Sequence, residues 1–157
     1  GDTHVMLVDA PGHVDFSAEA ERTLRALDYA ILVVGANDGV QGHTETLWRL
    51  LARYDIRTFI FINKIDLENP GRDALLAQLG QRLSEGCLDA EDLLAGGAVQ
   101  EDAAALDEVA LDEFLEAGEL SAESLSRLVA ERKLFPCFAG SALKDQGVAE
   151  LLEAYAL

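Results

Sequence analysis

The chain has 157 residues, half of them hydrophobic, with 29 acidic against 12 basic side chains and a formal net charge of −17. That length can bury one sizeable core and suggests one domain, and the acidic excess excludes binding of bare nucleic acid, DNA included, through the average field. Cys87 and Cys137 form no Cys-x-x-Cys pair, zinc pattern or disulfide framework, no apolar run reaches the ~20 residues that span a bilayer, and no signal peptide is recognisable, so a reducing cytoplasm without a membrane partner is the expected setting.

The first apolar run, Val5-Met6-Leu7-Val8, is expected to be a strand. It begins only four residues into the chain, from which an N-terminal truncation is expected. Asp9-Ala10-Pro11-Gly12-His13 follows, and Phe16, Ala20, Thr23, Leu24 and Leu27 then share one helical face. A second strand is predicted over Ala30–Val34, and a helix with Leu47, Leu50, Leu51 and Tyr54 at i, i+3, i+4, i+7 comes next. Thr58–Ile62 reads as a third buried strand, closing on Asn63-Lys64-Ile65-Asp66.

After Asn69-Pro70-Gly71, Leu75, Leu76, Leu79 and Leu83 make an amphipathic helix. Residues 68–134 hold 16 acidic and 5 basic side chains. The acidic run from Glu101 to Glu116 is expected to be loosely packed, without a core of its own. Ser121 to Lys133 forms another helix, capped by Ser121 or Ser124. The last strand is predicted at Phe135–Ala139, with Pro136, which lacks an amide donor, pointing to an edge or to a strand start. Gly140-Ser141-Ala142-Leu143 follows, and Val148, Leu151, Leu152 and Tyr155 repeat the helical spacing.

Continuous apolar strands alternating with helices imply βαβ units and a parallel sheet covered on both faces. The predicted fold is therefore α/β, a three-layer parallel sheet with an acidic, mostly helical insertion. Residues 1–67 and 135–157 would form the core and 68–134 the insertion. Ligands in such sheets sit beyond the carboxyl ends of the strands, and the three motifs all fall there.

Asp9 closes the first predicted strand, where a carboxylate can hold Mg2+ through water. Pro11-Gly12 forces a tight turn, and Gly12 lets a backbone N–H approach a γ-phosphate, a contact made with a triphosphate and lost with a diphosphate. His13 follows directly, and an imidazole near neutrality suits orientation of an attacking water. The plain alternative is a Pro-Gly turn with a surface histidine. Guanine presents two adjacent donors, N1–H and the 2-amino group, which one carboxylate can accept; Asp66 is the candidate. Lys64 can lay its aliphatic stem on the base, and Asn63 can tie the loop to neighbouring segments. The plain alternative here is a polar turn. Ser141 and Ala142 are small enough to let a backbone N–H reach guanine O6, with Leu143 next in the same turn.

In that order, Asp-x-Pro-Gly-His, Asn-Lys-x-Asp and Ser-Ala resemble the third, fourth and fifth motifs of translational GTPases. Asp9-Ala10-Pro11-Gly12-His13-Val14-Asp15-Phe16 is similar to the elongation factor G branch, which usually has Thr at the position of Ala10. Asp38-Gly39-Val40-Gln41 and Thr44 fit that branch too. Phe61–Asp66, and Leu134-Phe135-Pro136 leading to Gly140-Ser141-Ala142, resemble the tetracycline-resistance ribosomal protection proteins. The resemblance covers residues 3–67 and 117–157 well and is vague between 68 and 116, where elongation factor G holds an inserted subdomain. It implies a P-loop NTPase-like fold, here N-terminally truncated, with GTP and GDP as ligands with Mg2+, hydrolysis on the ribosome with His13 as catalytic residue, and nucleotide contacts by Asp9, Ala10, Pro11, Gly12, His13, Asn63, Lys64, Asp66, Ser141, Ala142 and Leu143. Release of tetracycline from the ribosome is the implied role, with translocation the alternative.

The phosphate loop, Gly-x-x-x-x-Gly-Lys-Ser/Thr, does not occur. Lys64, Lys133 and Lys144 precede Ile65, Leu134 and Asp145. The 157 residues alone are therefore expected to bind nucleotide weakly and to be nearly inactive, and the open sheet flank is expected to invite dimerisation through an exposed edge. A non-hydrolysing GTPase-like interaction module is the other class of reading. A tRNA-delivering or initiation factor is disfavoured by Val14-Asp15-Phe16 and by the long insertion.

Overall fold

A computed structural model describes residues 6–9, 22 and 24–155. Its elements are β1 (Tyr29–Gly35), α1 (Gly42–Arg53), β2 (Arg57–Asn63), α2 (Arg72–Arg82), β3 (Cys87–Asp89), α3 (Ala90–Ala95), α4 (Ala98–Ala104), α5 (Glu108–Ala117), α6 (Ala122–Ala130), β4 (Phe135–Ala139), a 3₁₀ turn (Ala142–Lys144) and α7 (Val148–Tyr155). The strands form one parallel sheet in the order β1-β2-β4-β3.

The two faces of the sheet follow the two-residue alternation of strand side chains. Leu32, Val34, Ile60, Ile62, Phe135 and Cys137 point to one face, where Leu75 and Leu79 of α2 and Leu47 and Trp48 of α1 cover them. Phe59, Phe61 and Phe138 point to the other, under Leu151 and Val148 of α7 and Ala90 of α3. This is the expected three-layer arrangement. Burying each Ile or Leu fully contributes about 1.5–3 kcal/mol, and Ile60, Ile62, Leu79 and Leu128 are among the largest such side chains.

Four expectations are corrected. Met6, Leu7, Val8 and Asp9 have irregular backbone and are exposed, Met6 at 87 %. A strand needs a neighbour to satisfy its backbone groups, and none of the described strands pairs with this run. β1 is covered incompletely: Val33 is exposed, because β1 is an edge of the described sheet. β4 is interior rather than an edge, and of the two alternatives the strand start holds, Pro136 being its second residue. The Phe135 N–H donates to Gly86 O, so a donor on Pro136 would face β2, where pairing starts only at Cys137. The missing N–H therefore breaks no ladder bond.

The fourth correction concerns the acidic stretch. Ala103, Ala104, Ala110, Leu128 and Leu134 are fully buried in a cluster of their own with Leu93 and Leu120. Alanines let α4 and α5 approach closely while the acids face water. The Gln100 amide donates to Leu93 O and accepts from Leu120 N, both at 3.0 Å, tying the end of α3 to the start of α6. Ser121, not Ser124, caps α6, its Oγ accepting from Ser124 N at 3.2 Å. The segment is also not separate from the sheet, since α2 packs into the main core and β3 lies beside β4.

Trp48 packs edge-on against Phe135, with ring centroids 4.5 Å apart. The Arg132 guanidinium lies over both rings and donates to Thr58 Oγ1 at 3.0 Å and to Ile56 O. Leu152 is exposed, whereas Val148 and Leu151 of the predicted α7 stripe, joined by Ala154, face the core. Both cysteines are buried; contact with the Cys87 thiol, then burial, pushes the Cys137 thiol up. Among the described residues no helix is long and apolar enough to cross a membrane.

Candidate functional site

β2 delivers Asn63 to the carboxyl end of the sheet, and the chain turns there through Lys64, which has φ +66°. A left-handed non-glycine residue is strained by about 1–2 kcal/mol. Asn63 offsets this by accepting the Lys64 N–H on its own Oδ1 at 2.8 Å, and Leu67 N donates to Lys64 O at 3.1 Å. Asn69 closes the loop: its Nδ2 donates to Ile65 O at 3.0 Å and Leu67 O at 2.7 Å, and its Oδ1 accepts from Gly71 N at 2.9 Å.

β4 delivers the second half. Ser141 and Gln146 exchange two backbone hydrogen bonds of 3.0 Å, and Asp145 turns left-handed at φ +55°. Gly140 is required here by close approach: a Cβ on it would lie 2.1 Å from Gln146 O. Ser141 is buried, and Leu143, 94 % exposed, crowns the turn.

The two loops, almost eighty residues apart in sequence, are joined. Asn63 Oδ1 also accepts from Ala142 N at 2.9 Å, Ile65 N donates to Gly140 O at 3.2 Å, and Gly140 N donates to Ile62 O at 2.9 Å. Asn63 O accepts from Ala36 N at 2.8 Å, which brings in the loop after β1. The Asp66 residue is exposed as a whole, yet its side chain is only 16 % exposed, with Lys144 Nζ 3.1 Å from Oδ2. The Ser141 hydroxyl, then Lys144, hold the Asp66 carboxyl below the usual carboxylate range. Asp66 is thus an ionised acceptor in a fastened loop, suited to neighbouring N–H donors.

The loop after β1 is braced from α2. Gln78 Oε1 accepts from Val40 N at 2.8 Å, and Arg82 donates to Val40 O and pairs with Glu45 at 2.7 Å. Thr44, buried, accepts the Gln41 N–H at 3.2 Å at the start of α1.

The structure brings together Asn63, Lys64, Asp66, Ser141, Ala142 and Leu143. It does not bring Asp9 to them: Asp9 is exposed, and Ala10, Pro11, Gly12 and His13 lie outside the described residues. Among the described residues no group of three or more His, Cys, Asp or Glu side chains forms a metal site. A cavity of about 690 Å³ behind the loops is lined by Ile62, Ile65, Arg72, Asp89, Phe138 and Glu150, and by none of the predicted nucleotide-binding residues. Sequence reasoning missed Lys144, Asn69 and Gln146. The only local signal for Lys144 was a cation two residues past Ala142; for Asn69 it was the Asn-Pro-Gly turn.

The family described as the elongation factor Tu GTP binding domain matches residues 1–157, the whole chain. The chain belongs to that family of translational GTPases. Tetracycline resistance protein TetM of Streptomyces lividans is 36 % identical over 170 residues, covering 98 % of this chain and 27 % of that protein. A solved structure from Thermus thermophilus superposes with a TM-score of 0.76 at 26 % identity, covering 92 % of this chain and 28 % of the other. This translational GTPase domain therefore spans about a quarter of the length of its relatives, and its α/β parallel-sheet fold is theirs.

Proposed function

We propose that this domain is the guanine-nucleotide site of a ribosome-associated GTPase that hydrolyses GTP to GDP. The observation that carries the reading is the joining of Asn63, Asp66, Ser141 and Ala142 into one loop pair around an ionised carboxylate. Asp66 accepts guanine N1–H and the 2-amino group, and Lys64 covers the base. The N–H groups of Ser141, Ala142 and Lys144 all have acceptors inside the loops, at Gln146 O, Asn63 Oδ1 and Ser141 O. We therefore assign the donor to guanine O6 to Leu143, whose N–H has no acceptor among the described residues. Asp9 would hold Mg2+ through water, with phosphate and water oxygens completing its shell. Gly12 would sense the γ-phosphate beside Ala10 and Pro11, and His13 would orient the attacking water.

Residues 1–67 and 135–157 are the nucleotide-binding core in this reading. Residues 68–134 stand where a shortened inserted subdomain would, while lending α2 and β3 to the sheet. Without a Gly-x-x-x-x-Gly-Lys-Ser/Thr loop, the 157 residues alone bind GDP weakly; submicromolar affinity would contradict this. The deciding experiment is GTP turnover by the full-length protein with and without ribosomes. Ribosome-stimulated turnover is expected, and His13→Ala should remove it; unchanged turnover would end the role of His13.

The 36 % identity to a tetracycline resistance protein favours drug release over translocation as the outcome of that cycle. Rescue of growth under tetracycline by the complete gene is the test, and absence of rescue would leave translocation as the reading.

A further inference from the structure

Lys144, the last residue of the turn after β4, has no task in the reading above. Three fastenings join this turn to the 63–66 loop: Ala142 N to Asn63 Oδ1, Ile65 N to Gly140 O, and the Lys144–Asp66 pair at 3.1 Å. Only the third reaches the carboxylate itself. The Lys144 side chain is 55 % exposed, and an ion pair that open contributes little to folding. We infer that Lys144 is a positioning residue for Asp66 and sets how strongly guanine is preferred over hypoxanthine.

The argument is one of acceptor geometry and rests on the proposed pairing of Asp66 with guanine. A carboxylate has about four lone-pair sites on two oxygens. The Lys144 ammonium lies 3.1 Å from one of them, Oδ2, which leaves sites for two ligand donors. The terminal torsion of an aspartate is broad and roughly two-fold, so without the ammonium the carboxylate plane can swing. Guanine needs both oxygens in the plane of the base, for N1–H and the 2-amino group. Hypoxanthine has N1–H alone and needs one. A swinging carboxylate therefore weakens guanine binding more than hypoxanthine binding.

The test is titration of the full-length protein with GDP and IDP, comparing wild type with Lys144→Met, Lys144→Arg and Asp66→Asn. The GDP-over-IDP preference should fall about three- to tenfold in Lys144→Met, as for a charge-assisted bond weakened rather than lost, and return largely in Lys144→Arg. A merely structural role would weaken both nucleotides equally and leave the ratio unmoved. An unchanged or increased ratio in Lys144→Met, with Asp66→Asn still shifting preference from GDP to xanthosine diphosphate, would overturn the inference alone. No shift to xanthosine diphosphate in Asp66→Asn would overturn the Asp66 reading and this inference with it.

Discussion

Asn63 makes three connections from one position: its side-chain oxygen accepts from Lys64 N and Ala142 N, and its backbone oxygen accepts from Ala36 N. Each neutral hydrogen bond contributes about 0.5–1.5 kcal/mol net. Asn63→Ala removes the two side-chain bonds and uncovers the strain at Lys64, so urea unfolding should show a loss of about 1–3 kcal/mol with the slope unchanged. Asp107 is the other residue where one side chain gathers several partners. It caps α5 by accepting from Ala110 N at 3.1 Å, and it pairs with Arg127 at 2.8 Å and Lys133 at 2.5 Å. Arg127 first, then Lys133, hold its carboxyl far below the usual range. A folded-state value below the unfolded one gives stability that is present above about pH 4 and lost as pH falls through the folded value. Asp107→Asn keeps a capping oxygen and removes the charge. Its melting temperature should therefore fall less than that of wild type between about pH 5 and pH 2; parallel curves would show that the pairs contribute nothing. Glu131, Glu113 and Asp66 are depressed as well, so some slope remains.

At the scale of elements, helices α4, α5 and α6 are held by a cluster separate from the faces of the sheet. Leu128 is at its centre and fully buried. A Leu→Ala change at such a position costs about 2–5 kcal/mol, depending on how far the surroundings collapse. Leu128→Ala should therefore lower stability by that amount and raise amide exchange in residues 98–130, while residues 57–63 remain protected. Equal loss of protection in both would show that the cluster and the sheet open as one unit. The β4 junction has a matching sensitivity. Gly140→Ala would place a methyl group against the Gln146 carbonyl and Phe61. The turn must shift to admit it, so guanine affinity of the full-length protein should drop more than thermal stability does.

Over the whole molecule, charge sets the balance. The net charge of −17 repels itself in the compact state, whereas the ion pairs are mostly at the surface and individually worth about 0–1 kcal/mol. Salt screens both, with a Debye length of about 30 Å at 0.01 M and 8 Å at 0.15 M. Self-repulsion is the larger of the two here, so the melting temperature of the domain should rise over that range; a fall would mean that the ion-pair network dominates.

What the sequence determined by itself was whatever depends on near neighbours. β2 and β4 were legible because continuous apolar runs bounded by turn residues have few other solutions. The Asn63–Asp66 and Gly140–Ala142 loops were legible because their residue types and spacing carry their own chemistry. The α1 and α2 stripes follow from periodicity alone, and a serine cap on α6 from residue type, though only the structure chose Ser121 over Ser124. Only the tertiary structure decided the rest, because it depends on residues distant along the chain. β3 is three residues long and exists because Cys87–Asp89 lies beside Phe135–Cys137. Pro136 is tolerated in an interior strand because its nitrogen faces a stretch where β2 is not yet paired. Alanines in an acidic run look like solvated helix until α4 and α5 are seen packed on Leu128. The Lys144–Asp66 pair joins positions 78 apart, and no local rule links a lysine to an acid across that distance. Periodicity sees one face of one element; contact between elements requires the sheet that holds them in register.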